Sequence, residues 1–393
     1  MKVKGKHNMN VPNLRFREFQ EEEKYDSYKK YFFEDIFLFS TGKNIKQNEA
    51  SLEFETPCVR YGELYHLYNE VISKVVNKTN LDKSELRFSD GNEILLPSAG
   101  EDPLDIGSAS ALIVKNVAIG RTINILKPAQ TDIYSPIYVS YYINQKLRKP
   151  ISALAKGVSI SNVYNSDLKT LKIILPSLSE QTKIANFLIL LNSRIETQIQ
   201  IIEELKLLKK ALCQYLLKNE TWKNHKISGI AEIGRGRVIS TTEINNQTSP
   251  QYPVYSSQTS NEGIMGYLDN YDFEGEYITW TTDGANAGTV FYRNGKFNCT
   301  NVCGTIKLNT NNNPYFVAQS LQLETRKYVS INLANPKLMN NVMASIEIYL
   351  PEINLQNSIS NLLQSIDVKL VIEKKLLSEY QKQKKYLLSQ MFI

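Results

Sequence analysis

The segment LPSLSEQTKIANFL at residues 175–188 decides the architecture, because it opens a stretch that occurs twice in this 393-residue chain. Residues 171–217 align without a gap on residues 346–392, at a constant offset of 175. Identical pairs include Leu175/Leu350, Pro176/Pro351, Gln181/Gln356, Lys209/Lys384 and Leu212/Leu387. An internal repeat with a domain-length period predicts two similar halves, each a globular unit followed by this segment.

Each copy of the repeat is predicted to form a strand followed by one long helix. Apolar residues recur at alternating spacings of three and four from Ile184 to Leu216 and from Ile359 to Met391, which is typical of a coiled-coil seam. A proline ends each strand, and Ser179 or Asn354 can cap the following helix. A helix of about 38 residues is roughly 57 Å long. Such a helix needs a partner for its seam, and the second copy is the obvious one.

Polar residues inside the seam predict that the two helices pair in antiparallel orientation. Parallel pairing places Lys209 against Lys384, whereas antiparallel pairing sets Gln198 against Lys384 and Lys209 against Glu373. The predicted seam residues are Ile195, Gln198, Ile202, Leu205, Lys209 and Leu212 in the first helix and Leu370, Glu373, Leu377, Tyr380, Lys384 and Leu387 in the second. Two unrelated surface helices, each packed on its own domain, are the alternative.

The repeat predicts an α+β protein with a pseudo-twofold internal repeat and four segments. These are a mixed α/β domain at residues 1–170, a strand and helix at 171–220, a second mixed α/β domain at 221–345, and a strand and helix at 346–393. The first 25 or so residues are expected to be disordered or an extra segment. A helix is expected around Leu67–Val76. The first domain is expected to fold without the second helix.

The starts of the two domains also match each other. Tyr31–Ile45 aligns on Lys226–Ile239, and each segment runs into a turn of glycine plus a basic residue, Gly42-Lys43 and Gly236-Arg237. The interiors that follow differ in length and in sequence. A shared frame with divergent interiors is what a protein with two unequal recognition sites needs.

Composition and motifs exclude several classes of protein. A net charge of +6 permits an anionic partner without requiring one. No apolar run approaches a membrane span and no signal peptide is recognisable, so a cytoplasmic protein is expected. Four cysteines and three scattered histidines predict neither a disulfide framework nor a metal site. No phosphate-binding glycine loop is found, and Asn313–Phe316 lacks the second proline of the adenine methyltransferase motif, so no catalytic residues are predicted.

Four stretches of the chain together resemble a known family. They are the repeated LPSLSEQTKIANFL motif, PCVRYGELYHLYNEVI at 57–72, TWKNHKISGIAEIGRGRVIS at 221–240 and ANPKLMNNVMASIEIYLP at 334–351. With them the chain, from about residue 30 onward, resembles the specificity subunits of type I restriction-modification enzymes. The resemblance implies a non-catalytic DNA-binding protein whose two target recognition domains each read one half of an asymmetric target. It also implies that an antiparallel coiled coil sets the distance between the halves.

The resemblance also implies partners, which belong to DNA methylation and phage defence. Beside double-stranded DNA, these are two adenine methyltransferase subunits that use S-adenosylmethionine, and restriction and translocase subunits that use ATP and Mg²⁺. No cofactor is expected in this chain itself, and no membrane contact. Two other functions remain open: a coiled-coil protein scaffold that binds no DNA, and a single-chain methyltransferase or nuclease with an unrecognised site.

Basic and amide side chains are the groups that read bases or hold phosphates, so they supply the candidate DNA contacts. Arg60-Tyr61 either reads a base or completes a strand. The basic residues of the matched turns are phosphate contacts or solvated turn cations, and Arg293–Lys296 is expected to be a hairpin turn that can meet DNA. The candidates are Lys43, Arg60, Tyr61, Lys156, Arg235, Arg237, Arg293, Lys296 and Lys337.

Overall fold

The computed structural model describes residues 11–20, 28–130, 132–157, 160–309, 311–330 and 335–393. Two compact units make up the chain. Unit 1 contains the described residues up to Thr197 together with Leu377–Ile393, and unit 2 is Gln198–Leu376. Each of the two long helices therefore contributes one part to each unit.

Unit 1 combines short strands with short helices and with parts of the long ones. Its strands are β1 (Lys29–Phe32), β2 (Phe37–Thr41), β3 (Thr56–Val59), β4 (Val71–Ile72), β5 (Lys78–Thr79), β6 (Phe88–Asp90), β7 (Glu93–Pro97), β8 (Ala99–Gly100), β9 (Ser110–Leu112), β10 (Lys115–Ile119), β11 (Ile123–Pro128), β12 (Ser161–Asn162) and β13 (Lys172–Leu175). Its short helices are α1 (Arg17–Gln20), α2 (Phe33–Ile36), α3 (Glu63–His66), α4 (Pro103–Ile106), α5 (Pro136–Tyr142), α6 (Arg148–Ala153) and α7 (Asn165–Leu168).

The long helices and unit 2 supply the remaining elements. The helices are α8 (Leu178–Leu216), α9 (Ile227–Ile230), α10 (Thr241–Asn245), α11 (Pro314–Glu324), α12 (Asn340–Ser345) and α13 (Ile353–Met391). The strands are β14 (Lys223–Lys226), β15 (Ala231–Arg235), β16 (Tyr252–Tyr255), β17 (Ile264–Leu268), β18 (Phe273–Thr281), β19 (Val290–Cys299), β20 (Cys303–Leu308) and β21 (Glu347–Leu350).

Two larger sheets form the framework of unit 1. One has the strand order β5-β3-β10-β6 and the other β2-β11-β7-β9-β4. The core between sheet and helices is rich in aromatic side chains, and it includes the end of the chain. Phe392 is buried, with its ring centroid 5.2 Å from that of Tyr138. The second helix therefore delivers core residues to unit 1, which argues against the expectation that the first domain folds without this helix.

Residues 11–20 form an ordered extension that packs on unit 1. Arg15 makes a two-pronged ion pair with the fully buried Glu180, at 2.8 Å (Nε–Oε1) and 2.7 Å (Nη2–Oε2). The Leu14 N–H donates to the Gln390 carbonyl at 3.0 Å, and Phe19 is buried. This part of the N-terminal segment is therefore an extra structured element. Residues 1–10 and 21–27 lie outside the described residues.

A single mixed sheet forms the framework of unit 2, in the order β15-β20-β18-β19-β16-β17. Trp280 is completely buried on this sheet, and its indole Nε1–H donates to the Leu338 carbonyl at 2.9 Å. Burying a large ring whose one polar group has a partner stabilises the core without leaving an unpaired donor.

The predicted repeat is confirmed by matching contacts in the two units. Strand β1 pairs antiparallel with β13, and β14 pairs with β21 in the same register, Lys29 opposite Leu175 and Lys223 opposite Leu350. The repeated glutamine then ties each helix entry to the domain. Gln181 accepts from the Ser135 N–H at 3.0 Å and donates to Pro176.

Gln356 repeats this clamp in unit 2. It accepts from the Asn313 N–H at 3.0 Å and donates to the Pro351 carbonyl at 2.8 Å. Ser135 and Asn313 are the N-caps of α5 and α11, each followed by proline at the first helical position. The repeated glutamines thus fix equivalent helices in the two units.

The antiparallel orientation of the long helices is confirmed within unit 2. Along α8, Gln198 contacts Glu373, and Lys209 contacts the earlier residue Asp367 on α13. In unit 1, Arg194 donates to the Tyr380 hydroxyl at 3.1 Å. All the predicted seam residues are buried or half-buried.

The predicted register of the seam is wrong. Gln198 binds Glu373 instead of Lys384, and Lys209 binds Asp367 instead of Glu373, with Nζ–Oδ1 at 2.6 Å. The physical reason is that lysine side chains are long enough to leave the seam and reach acids beside it. Gln198 and Glu373 occupy the same position in the two copies of the repeat. Two antiparallel copies related by a twofold axis bring equivalent residues together where the axis passes, and Gln198 and Glu373 form such a pair.

Two local predictions are also wrong. The segment Leu67–Val76 was expected to be helical, but α3 ends before it, at His66, and Val71–Ile72 form strand β4. β-Branched residues favour strands, and here they pair parallel with β9. Arg293–Lys296 is not a hairpin turn but the interior of β19, with Arg293 opposite Tyr277.

Candidate nucleic-acid interface

The Gly42-Lys43 turn of unit 1 is a tight and strained piece of backbone. A side chain at Gly42 is excluded, because its Cβ would lie 1.9 Å from the Gly120 carbonyl oxygen. Ile45 and Thr122 have φ of 57° and 67°, a conformation that β-branched residues rarely adopt. Ile45 is nevertheless buried, which holds the turn in place. Strain of this kind is retained where the surroundings over-determine it, often at functional sites.

This turn and its neighbour carry exposed cations. The Lys43 N–H donates to the Ile119 carbonyl at 2.9 Å, and the Arg121 N–H donates to the Asn44 carbonyl at 2.8 Å. The side chains of Lys43, Lys46 and Arg121 are exposed. None of the three makes an ion pair with another described residue. They are therefore available to phosphates.

A cleft of about 500 Å³ lies beside this turn. Its lining includes Lys46, Arg60, Tyr61, His66 and Arg121. Arg60 and Tyr61, two of the predicted DNA contacts, thus line a surface cleft beside the basic turn. Lys46, His66 and Arg121 were not among the predicted contacts, although the Gly120-Arg121 pair repeats the glycine-plus-basic pattern of Gly42-Lys43.

The matched turn of unit 2 repeats the backbone hydrogen bond of Lys43, from the Arg237 N–H to the Cys299 carbonyl, but its electrostatics differ. A Cβ at Gly236 would lie 2.1 Å from the Cys299 carbonyl oxygen. Arg237 is bound by two acids, Glu243 at 2.6 Å and Asp272 at 3.0 Å. The hydrogen bond from Arg237 lowers the pKa of Glu243 below its ordinary value. Arg235 is exposed, and its guanidinium contacts the Met339 sulfur at 3.8 Å.

The other predicted contacts are engaged inside their own units. Lys156 binds Asp167 at 2.7 Å, Lys337 binds Asp283 at 3.5 Å, and Lys296 binds Glu274 at 3.7 Å. The side chains of these three lysines remain partly exposed. Their intramolecular partners could not be inferred from the sequence, because each acid is brought close by the fold.

Arg293 is not accessible as a DNA contact, and this prediction is wrong. The side chain is buried, with its guanidinium 3.6 Å from the ring centroid of Tyr255 and 4.3 Å from that of Phe291. Nη2 donates to the Glu262 carbonyl at 2.6 Å. Burial lowers the pKa of Arg293, which stays charged through these contacts. Arg293 is a structural residue of unit 2.

Each long helix also places a lysine beside a tyrosine of a domain. Lys209 lies 5.8 Å from the ring of Tyr315, whose hydroxyl donates to Asp367 at 2.6 Å. Burial, and then the hydrogen bond to Asp367, raise the pKa of the Tyr315 hydroxyl. In unit 1, the equivalent Lys384 lies 5.9 Å from the ring of Tyr141 and 3.4 Å from Glu70.

The long helices leave large apolar side chains exposed. The most exposed are Leu190 at 69%, Leu207 at 65%, Tyr215 at 83% and Tyr386 at 63%. Val368, Val371 and Ile372 are exposed as well. Val368, Val371 and Ile372 are three and four residues apart on one helix face, and a contiguous apolar patch of this kind is typical of protein docking surfaces.

Two further classes of site, a metal centre and a membrane span, do not occur in the described parts of the chain. No group of three or more histidine, cysteine or acidic side chains is arranged to hold a metal ion there. None of the helices within those ranges is long and apolar enough to span a bilayer.

Comparison with known proteins agrees with this architecture. Residues 25–207 and 219–381 each match the type I restriction modification DNA specificity domain. The Mycoplasma pneumoniae type I specificity subunit S.MpnORF289P N-terminus is 46% identical over 144 residues, which are 36% of this chain and 76% of that protein. S.MpnORF201P of the same organism is 35% identical over 216 residues, 49% of this chain and 90% of that protein.

A solved structure matches the fold over nearly the whole chain. The crystal structure of the S subunit of a type I restriction-modification system from M. genitalium superposes with a TM-score of 0.68. It covers 98% of this chain and 99% of that one, at 19% sequence identity. Two copies of one domain, covering most of the sequence, show that the chain belongs to the family of type I restriction-modification specificity subunits, which are not themselves catalytic.

Proposed function

We propose that this chain is the DNA-reading subunit of a type I restriction-modification complex. Each unit reads one half of an asymmetric target. The observation that carries this proposal is the repeated frame with two chemically different basic turns, Gly42-Lys43 and Gly236-Arg237. A reader of two unequal half-sequences needs a constant frame and variable recognition surfaces.

The target is expected to have two short specific blocks and a gap of fixed length. Readers that approach one face of B-DNA contact sites about one helical turn apart, roughly 10 base pairs between centres. The continuous helices α8 and α13, which contribute to both units, support a fixed gap, since a regular helix has little freedom to change its length.

The partners are adenine methyltransferase subunits and restriction subunits that bring S-adenosylmethionine, ATP and Mg²⁺ chemistry to the complex. Exposed apolar residues on the long helices, Tyr215 and Ile372 among them, support docking of protein partners there. Replacing both by serine should reduce recovery of the methyltransferase with the tagged full-length chain. Lys374→Ser is the control, since Lys374 is exposed and polar and lies on α13, the helix of Ile372.

Methylation-sensitive sequencing of cellular DNA, with and without this gene, tests the function directly. The proposal predicts methylated adenines in a single bipartite motif that is present only when the gene is present. Unchanged methylation in cells that express an active methyltransferase partner, or a motif without a gap, contradicts the proposal.

A further inference from the structure

The cleft beside the Gly42-Lys43 turn contains an arginine that is held rigidly by a buried carboxylate. The Glu63 side chain accepts from the Arg60 Nε–H at 2.7 Å, the Arg60 backbone N–H at 3.2 Å and the Asn77 amide at 2.9 Å. Glu63 is only 5% exposed. A buried carboxylate with three donors fixes the plane of the guanidinium.

The guanidinium of Arg60 keeps donors for a ligand. An arginine has five N–H groups, and here Nε serves Glu63 while Nη1 contacts the Gln47 carbonyl at 3.4 Å. The Nη2 amino group has no hydrogen-bond partner among the residues that the structure describes. Arg60 is half-buried and lines the cleft, and Nη2 is the group of its guanidinium that remains for a ligand.

The two units carry different residues at the position of Arg60. In unit 1 the parallel pair β3/β10 sets Val59 opposite Ile119, and in unit 2 the parallel pair β16/β19 sets Tyr255 opposite Cys299. Ile119 and Cys299 play the same role, since their carbonyls accept from the N–H groups of Lys43 and Arg237. The next residue of the first strand is Arg60 in unit 1 and Ser256 in unit 2. The frame therefore presents different recognition chemistry at the same place.

We propose that Arg60 reads a guanine in the half-target of the first domain, and that Glu63 is the positioning residue for it. This inference rests on the proposed function. An arginine held through Nε can donate end-on to the O6 and N7 acceptors of guanine in the major groove, the commonest specific contact to DNA. Lys46 and Arg121, in the same cleft, hold the adjacent phosphates, and Ser256 gives the second half-target no such arginine contact.

Selection from a random duplex pool by the full chain, purified with its methyltransferase, tests the assignment. The wild type should select a guanine at one position of one half-target. Arg60→Ala should lose the preference at that position alone, and weaken binding to the selected sequence by roughly 5- to 150-fold. Binding to duplexes with another base at that position should change little.

Companion variants separate a reading role from a structural one. Arg60→Lys keeps the positive charge beside Glu63 but lacks the planar fork, so it should fold normally and weaken the guanine preference less than Arg60→Ala does. Glu63→Gln should weaken the preference less than Arg60→Ala does. Lys46→Ala should instead weaken binding to all sequences. It should also lower by about one the salt slope, the slope of the logarithm of the binding constant against the logarithm of the salt concentration. Arg148→Ala, which removes an exposed arginine paired to Asp105 elsewhere in unit 1, is the control.

Three outcomes overturn the assignment. A uniform loss of affinity with a smaller salt slope in Arg60→Ala makes Arg60 a phosphate contact. An unchanged selected sequence in a folded Arg60→Ala makes its role structural. If Ser256→Ala, and not Arg60→Ala, removes the guanine preference, the residue that reads the guanine lies in unit 2. If the wild-type complex selects no sequence at all, the proposed function itself fails, which is a different result.

Discussion

The turns Gly42-Lys43 and Gly236-Arg237 share equivalent backbone hydrogen bonds but differ in their electrostatic states. In unit 1 the cations are exposed beside a cleft, whereas in unit 2 Arg237 is neutralised by Glu243 and Asp272. The frame around both turns is conserved within the molecule down to single hydrogen bonds. The difference teaches that the repeat specifies where a recognition surface lies, while non-repeated acids decide which cations in it are available.

The largest expected effect concerns the ends of the long helices, which fill the cores of different units. Leu217 and Phe392 are equivalent in the repeat and are 5% and 3% exposed, in unit 2 and unit 1 respectively. Phe392→Ala should destabilise unit 1 by about 3–5 kcal/mol and Leu217→Ala unit 2 by about 2–5 kcal/mol. Hydrogen exchange resolved by unit measures both.

A matched control for these substitutions is Tyr386→Ala, since this side chain is 63% exposed on α13. It should change stability by no more than about 0.5 kcal/mol. If Phe392→Ala accelerates exchange in unit 2 as strongly as in unit 1, the division of the helices between two units is wrong.

A smaller effect is expected at the seam. Lys209→Glu should destabilise unit 2, because it sets a carboxylate against Asp367. Adding Asp367→Lys should restore part of the loss, with a coupling on the order of 1 kcal/mol. Adding Glu373→Lys, the partner predicted from the sequence, should not. Denaturant unfolding of the wild type, the three single variants and the two double variants decides between the two registers.

The turns themselves should respond differently to alanine. Lys43→Ala should weaken DNA binding without regard to sequence and reduce the salt slope by about one, as expected for a lost phosphate contact. Arg237→Ala should leave the slope nearly unchanged, since its guanidinium is already occupied by acids. Titrations of the assembled complex at several salt concentrations measure this, with Lys149→Ala as a control. If Lys43→Ala and Arg237→Ala have equal salt slopes, the proposed electrostatic difference between the two turns is wrong.

The smallest effect is a pH dependence confined to unit 2. The pKa of Glu243 is lowered in the folded state, so its pairing with Arg237 stabilises unit 2 above the ordinary carboxylate pKa of about 4.3. That stabilisation is lost as the pH falls through the lowered pKa. Glu243→Gln lacks it, so the stability difference between wild type and variant should narrow on acidification. If the stability difference between wild type and Glu243→Gln widens on acidification, the pairing of Glu243 with Arg237 is contradicted.

The sequence was sufficient for the architecture because the repeat is long, gap-free and periodic. Gln181 and Gln356 occupy identical positions and make identical contacts, so the repeat alone predicted two equivalent helix entries. The antiparallel direction also followed from Lys209 and Lys384, whose charges disfavour the parallel arrangement. Such features depend on local periodicity and on residues of like charge.

The register and the state of each cation could not be predicted in this way. Lys209 binds Asp367, a residue outside the seam pattern, together with Tyr315 from α11. Arg237 and Arg60 look alike in sequence, yet one is held by two acids at an exposed turn and the other by a buried Glu63 in a cleft. Asp367 and Asp272 lie 158 and 35 residues from their basic partners, and neither spacing nor composition encodes such contacts. Glu63 and Glu243 are close in sequence to their arginines, but only the fold shows that Glu63 is buried.

The central claim is that each unit reads its own half of one target. The most direct measurement replaces residues 31–170 with the first domain of another specificity subunit and sequences the methylated sites in cells that carry wild-type or chimeric chain. The account predicts that one half-sequence changes, while the other half-sequence and the length of the gap stay the same. A chimera that changes both half-sequences, or that keeps both and alters only the gap, contradicts it.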